Sequence, residues 1–412
     1  MKDEHKILFD KSNKDSSLLP SSSLRICHII TRLIVGGAQE NTLATCIGLQ
    51  RDYGCAVDLV AGPSVGPEGS LEETAHGAKV NLIGVPDLVR AIAPHRDLAA
   101  FRHLRLILRR GNYDIVHTHS AKAGILGRIA AAREKAPTII HTIHGLSFHD
   151  YQGGLRNRLY IAAEQFAARY TTHFVSVANA MSRKSLAAGI GCPEQYSTIY
   201  SGIDIEPFVH AADESAALRK QLGFQPDDFV VGKIARLFEL KGHEYLLAAA
   251  PKIVKADPRV KFLLVGDGIL RSHLEAEVGR LGLERHFVFV GLIPPSDVPR
   301  YVGCMDALVH LSLREGLARA LPQAMAAGKP VISFDIDGAS EVVHDGETGY
   351  LLVPRDVEGL QRAVILLLQQ PSLAATMGAR GRALVREKFA QETMVRQLYQ
   401  LYRRLVPARP SP

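Results

Sequence analysis

The 412 residues are 47% hydrophobic and 22% charged with a net charge of +7, values of an ordinary globular chain that disfavour a disordered or a membrane-embedded protein. That length exceeds one ordinary core and suits two domains of roughly 150–200 residues each. Cys27, Cys46, Cys55, Cys192 and Cys304 are scattered without CxxC spacing, which argues against a disulfide framework or a thiolate zinc site, and buried reduced thiols are expected.

In chain order, residues 1–23 are polar, Ser-rich and without period, and read as a disordered tail. Charges flank their short apolar stretch on both sides, unlike a secretory signal, so a cytoplasmic location is expected. From Leu24, apolar runs typical of strands alternate with helical segments: RICHII, AVDLVA, KVNLIGV, YDIVHTH, TIIHTIH and HFVSVA. The alternation restarts after Phe208 with FVVGKIAR, KFLLVG, HFVFVG, DALVHL, KPVISF and GYLLV. Two α/β domains with parallel sheets covered on both faces are the expectation, over 24–206 and 207–388. Residues 389–412 hold a final helical pattern, Gln391 to Leu405, long enough to cross back onto the first domain. Ligands of open parallel sheets sit beyond the carboxyl ends of strands, so two such domains would face each other across a cleft.

Three loops carry candidate chemistry. In TRLIVGGAQEN, Gly36 and Gly37 follow the first strand and open a helix, where backbone amides can approach a phosphate, although a tight structural turn explains the pair equally well. GxGxxG with a following acidic residue is absent, which disfavours a nicotinamide cofactor. In KIARLFELKGHEYLL, Arg236 ends a strand and Lys241 stands just before a helix. Two cations five residues apart on one loop can converge on a diphosphate, and a pair of solvated surface cations is the plainer alternative. In LSLREGLARALPQAMAAGKPVISFD, Glu315 is expected to start a helix that carries Gln323 eight positions later. On such a helix the two would lie roughly 12 Å apart along the axis and about 80° apart around it, reaching opposite ends of one elongated ligand.

Together these residues resemble retaining glycosyltransferase family 4 of the GT-B fold, whose signature is Glu, seven residues, Glu, then AMAxGxPVI. GGAQEN, HTIHG, SGID, R-x4-K-G and EVVHDGETGYLL match further family marks in order, from about Arg25 to Phe389. The resemblance implies an N-terminal acceptor domain and a C-terminal nucleotide-sugar donor domain. It assigns the donor diphosphate to Arg236 and Lys241, with Gly37 and the amides of Arg319 and Ala320 nearby. Glu315 would bond sugar hydroxyls, helped by the amides of Leu317 and Ala318, and His144 would sit beside the transferring sugar. The family's second Glu is Gln323 here, which still accepts hydrogen bonds from ribose but without charge. Arg319 adds a cation where many relatives carry a small or apolar residue, unless it is simply solvated.

The activity implied is metal-independent, retaining transfer of a hexose or N-acetylhexosamine, from a UDP-sugar by family base rate, to a lipid-linked glycan in surface polysaccharide assembly. No cofactor is expected. His117, His119, His141, His144 and His149 invite a metal reading, since His117, His119 and His141 could cluster at adjacent strand ends, but carboxylates at ligand spacing are missing from those segments and no metal is expected. Glu341 would be a helix-start residue near the donor pocket that caps its helix. The basic run RHLRLILRR, Arg102 to Arg110, suits peripheral contact with an anionic membrane or a diphosphate-bearing acceptor, or is a solvated helix face. Nucleic acid is disfavoured by the lack of basic residues interleaved with aromatics. Two alternatives stay open: a nucleotide-sugar epimerase, and a degenerate nucleotide-sugar-binding subunit without turnover.

Overall fold

The computed structural model of the protein describes residues 23–66, 69–213 and 215–407, so the expected N-terminal tail, apart from Ser23, lies outside the described residues. The first sheet contains β1 (Arg25–Arg32), β2 (Ala56–Gly62), β3 (Asn81–Gly84), β4 (Ile115–His119), β5 (Thr138–Ile143), β6 (His173–Ser176) and β7 (Tyr196–Thr198), in the order β3-β2-β1-β4-β5-β6-β7. The second contains β8 (Phe229–Ile234), β9 (Val260–Val265), β10 (Phe287–Gly291), β11 (Ala307–His310), β12 (Val331–Phe334) and β13 (Gly349–Leu352), in the order β10-β9-β8-β11-β12-β13. Every pairing within both sheets is parallel.

Burial explains why these segments are strands. β4 and β5 are buried at every residue, which is the pattern of a strand covered on both faces by helices. Apolar clusters fill both faces of each sheet, and one of them continues from Phe174 and Ala178 in the first half to Leu308 and Leu321 in the second. The chain crosses between the halves twice, side by side: the Ile203 amide donates to the Phe389 carbonyl at 2.9 Å, and the Gln391 amide to the Ile203 carbonyl at 3.0 Å. After the second crossing, helix Gln391–Leu405 buries Met394, Val395, Leu398, Leu401 and Tyr402 against helix Gly37–Tyr53 of the first half. Tyr399 stacks on Tyr53 at 4.0 Å between ring centroids, so the last helix closes the core of the first sheet.

Of the cysteines, four are buried as expected and Cys192 is exposed. Among the described residues no helix is long and apolar enough to cross a membrane.

Candidate active site

Both sheets reverse their winding direction next to their first strand, between β1 and β4 and between β8 and β11. Crevices open beyond the carboxyl ends of strands at such points. A cleft of about 1420 Å³ lies there, and every donor-site residue named from the sequence lines it: Gly37, Arg236, Lys241, Glu315, Leu317, Ala318, Arg319, Ala320 and Gln323.

The charged wall is built from two loops of the second half. Gly242, at φ 68°, lets the loop after β8 turn onto the end of β11, where a Cβ would come within 1.9 Å of the Leu311 carbonyl oxygen. Lys241 is thereby set beside Glu315, and its Nζ donates to Oε1 of that carboxylate. His310 Nε2 lies 3.5 Å from the same oxygen. Burial alone would raise the Glu315 carboxyl; Lys241 and His310 outweigh it and hold the group well below the usual carboxylate range, so it stays an ionised acceptor. Lys233, inside β8, is buried with no partner for its amine. Burial, then Lys241, pushes it down to about 7.

The helix expected to start at Glu315 begins five residues later, as Ala320–Ala326 with Arg319 as N-cap. Glu315 stands in the preceding loop, so the expected helical separation from Gln323 does not apply. The cause is tertiary: Gly316 packs against the backbone of His144, and a Cβ there would approach that carbonyl oxygen to 1.9 Å. The Glu315 amide donates to Asp337 Oδ2 at 2.7 Å, which fixes the loop outside helical geometry.

From the first half, Gly36 and Gly37 open helix Gly37–Tyr53 as expected. A Cβ at Gly37 would come within 3.1 Å of Arg319 Cδ, so the glycine admits that side chain across the cleft. Arg319 Nη2 reaches Glu40 at 3.3 Å, while its buried Nε and Nη1 have no partner. His144 follows β5 at the junction with Gly316 and is not among the cleft-lining residues. Burial, aided by Arg319, pushes it down to about 3, so its imidazole is neutral at physiological pH.

Two contacts across the junction were not legible in the sequence. Lys184 pairs with Asp337 Oδ1 at 2.5 Å, across the two halves. Glu341 belongs to the short helix Ala339–Val342, yet its carboxylate caps a different helix, Asn179–Ala187, by accepting from the amides of Asn179 at 2.7 Å and Ala180 at 2.8 Å. That helix has Ala178 as its own N-cap residue, which supplies no side-chain acceptor. In the basic helix Pro94–Gly111, Arg105 and Arg109 both pair with Glu134.

The family pattern described as Glycosyltransferase Family 4 matches residues 35–207, and the one described as Glycosyl transferases group 1 matches residues 214–384. The chain belongs to glycosyltransferase family 4. This family-4 chain is 29% identical over 347 residues to the Escherichia coli UDP-Gal:alpha-D-GlcNAc-diphosphoundecaprenol alpha-1,3-galactosyltransferase, covering 84% of the chain and 88% of the relative. It is 26% identical to the capsular polysaccharide biosynthesis glycosyltransferase CapM of Staphylococcus aureus, over 77% of the chain and 85% of that protein. Its fold is that of Anabaena HepE, solved in complex with UDP-glucose, at a TM-score of 0.79 and 22% identity over 92% of this chain and 100% of that one. The two parallel-sheet domains facing a cleft are thus the GT-B fold, and the protein is a glycosyltransferase whose relatives include polysaccharide-assembly enzymes.

Proposed function

We propose that this glycosyltransferase moves a hexose or N-acetylhexosamine from a UDP-sugar to a lipid-linked glycan, with retention of anomeric configuration and without a metal ion. The observation that carries the reading is the convergence of Arg236, Lys241, Glu315 and Arg319 on one cleft at the winding reversals of both sheets. Arg236 and Lys241 neutralise the diphosphate as it leaves, with Arg319 as a third cation whose two orphan nitrogens gain acceptors when an anion enters. Glu315, held ionised, accepts from sugar hydroxyls. The bond from the anomeric carbon to the phosphate oxygen breaks, and the acceptor oxygen bonds to that carbon on the same face. Its proton passes to the leaving phosphate, so no enzymatic nucleophile is required.

The relatives support the choice of donor and acceptor: one is named for UDP-galactose and a diphosphoundecaprenol acceptor, and HepE is solved with UDP-glucose. At the cleft mouth, Ile92 and Leu159 are 74% and 64% exposed beside Arg90 and Arg156. Apolar and cationic side chains together suit a lipid diphosphate at the membrane surface better than the partly paired helix Pro94–Gly111 does. A peripheral position at the inner face of the cell membrane follows from that acceptor.

The test is thermal stability against UDP, GDP, ADP and TDP with and without magnesium, since a ligand of the folded state raises apparent stability. A metal-independent shift with UDP that Arg236→Ala abolishes is the expected result. No shift with any nucleotide would overturn the donor site.

A further inference from the structure

Five histidines of the first half lie on neighbouring central strands: His28 on β1, His117 and His119 on β4, His141 on β5 and His144 one residue beyond it. Three of them form a line. His28 Nδ1 lies 2.9 Å from His119 Nε2, and His119 Nδ1 lies 3.0 Å from His144 Nε2. The His28 and His119 rings are only 16° from parallel with centroids 5.2 Å apart, so they meet edge to edge in nearly one plane. His117 stands outside the line, with its nitrogens taken by the Tyr402 hydroxyl at 2.5 Å and the Thr142 hydroxyl at 2.6 Å.

We infer that His28 and His119 are positioning residues that lock His144 in a single tautomer, with its Nδ1–H as the only ring group left to meet a ligand. This rests on the reading of His144 as a residue beside the transferring sugar. A neutral imidazole has one donor nitrogen and one acceptor. Two shared bonds therefore leave the line only two proton registers. In one, His28 Nδ1–H donates to His119, His119 Nδ1–H donates to His144 Nε2, and His144 keeps its proton on Nδ1. In the reverse register His28 carries its proton on Nε2, a buried atom with no partner. An orphaned buried N–H is the rarer defect in folded proteins, and an acceptor without a full set of donors is met more often. The first register is favoured, and His144 is a hydrogen-bond donor rather than a proton acceptor.

A metal ion is the competing explanation, since nitrogens of His28, His117 and His119 lie within 4.8 Å of one another. Two imidazole nitrogens bound tetrahedrally to zinc at its usual bond lengths stand roughly 3.3 Å apart, with lone pairs aimed at a common point. His28 Nδ1 and His119 Nε2 are closer than that and aimed at each other. Their spacing is that of a hydrogen bond. Burial also holds the rings neutral, with His28 pushed down to about 3, as the alternating donor and acceptor pattern requires.

The experiment is a long-range proton–nitrogen correlation on the full chain with nitrogen-15 histidine, His144 being assigned by its loss in His144→Ala. A protonated Nδ1 and bare Nε2 on His144 is expected, and a protonated Nε2 or a tautomer mixture would overturn the inference. The kinetic arm compares His119→Leu with His119→Asn, whose amide occupies the Nδ1 position. His119→Leu is expected to lower kcat about tenfold or more with little change in donor KM, the size seen when the orienting partner of a functional histidine is removed. His119→Asn is expected to restore part of it. Equal loss in both variants, or loss confined to KM, would overturn the positioning role. If His144→Ala leaves kcat unchanged, the reading of His144 as a residue beside the sugar falls, and the tautomer measurement on the unaltered chain still decides the proton register.

Discussion

The two sides of the cleft handle polar groups in opposite ways. The wall on β8 and β11 keeps Lys241 and Glu315 as ions in contact, each side chain about one-fifth exposed. The region behind the other wall, on β1, β4 and β5, buries imidazoles and keeps them uncharged. On the proposed reaction, a transferring sugar diphosphate would account for the difference. Its charge must be matched by cations on one side, whereas the sugar itself needs neutral, directional donors. Among the described residues no carboxylate acts on the histidine line, so protonating it has nothing to offset the cost of a buried charge.

Acid should have the largest effect, and most of it falls on the histidine side. The folded-state values of His28 and His144 are pushed from 6.5 down to about 3, and those of His117, His119 and His141 lie well below 6.5. The unfolded chain binds these protons first, so stability is full above about pH 6.5 and falls as pH drops towards 3. The loss is on the order of 1 kcal/mol per buried imidazole for each pH unit below 6.5. Urea midpoints measured at pH 7.5 and 5.5 should differ by several kcal/mol in extrapolated stability. On the charged side Glu315, held low, stays ionised across that window, while His243, pushed down to about 3 by burial, and His310, lowered by burial, add a smaller share of the loss. Equal stability at the two pH values would mean that the histidines are not buried neutral.

The charged wall is broken next by Lys241→Ala. It removes the proposed leaving-group cation and leaves Glu315 with His310 beside it. A fall in kcat of about 10²-fold or more is expected from losing one electrostatic donor to the transition state. Single-turnover kinetics at saturating donor measures it, and an unchanged rate would remove Lys241 from the diphosphate site. A smaller effect is expected at the contact that joins the two halves. Glu341→Ala deprives helix Asn179–Ala187 of its only side-chain cap among the described residues. Loss of a cap costs about 1 kcal/mol. Because the cap comes from the opposite half, the Tm should fall less in the presence of UDP than in its absence if the donor also holds the halves together. An equal fall would make Glu341 a purely structural cap.

How much of this was readable from the chain follows the range of the interaction. Twelve strands were legible because buried parallel strands are continuous apolar runs, whereas β7 is only Tyr196–Thr198 and carries no such run. The charged site was legible because its members sit on two short loops with a family pattern. The helix start was misread because nothing local distinguishes Glu315 from a helical residue; Gly316 against His144 and Asp337 at the Glu315 amide decide it. Glu341 reaches a helix 162 residues earlier in the chain, and His28 meets His119 across 91 residues. Spacing along a sequence does not encode contacts of that kind. His119 and His144 were visible in the sequence, but His28 was not, and their order became readable only when β1, β4 and β5 were adjacent.

The smallest expected effect is at Gln323, and it probes the charged wall without dismantling it. Gln323 lines the cleft four residues after the N-cap Arg319, on the helix that follows the Glu315 loop. As an amide its carbonyl oxygen can accept from a ribose hydroxyl without charge. Gln323→Glu makes that bond charge-assisted, and the amino end of the helix favours the added negative charge. The neighbouring diphosphate opposes it, since two anions on one ligand pocket repel. If ribose lies at Gln323, the hydrogen bond is short and direct while the phosphate is farther away, so donor binding should tighten by about threefold to tenfold, corresponding to roughly 1 kcal/mol. Calorimetric titration with UDP measures it, and a weakening of tenfold or more would place the diphosphate, not the ribose, beside this residue.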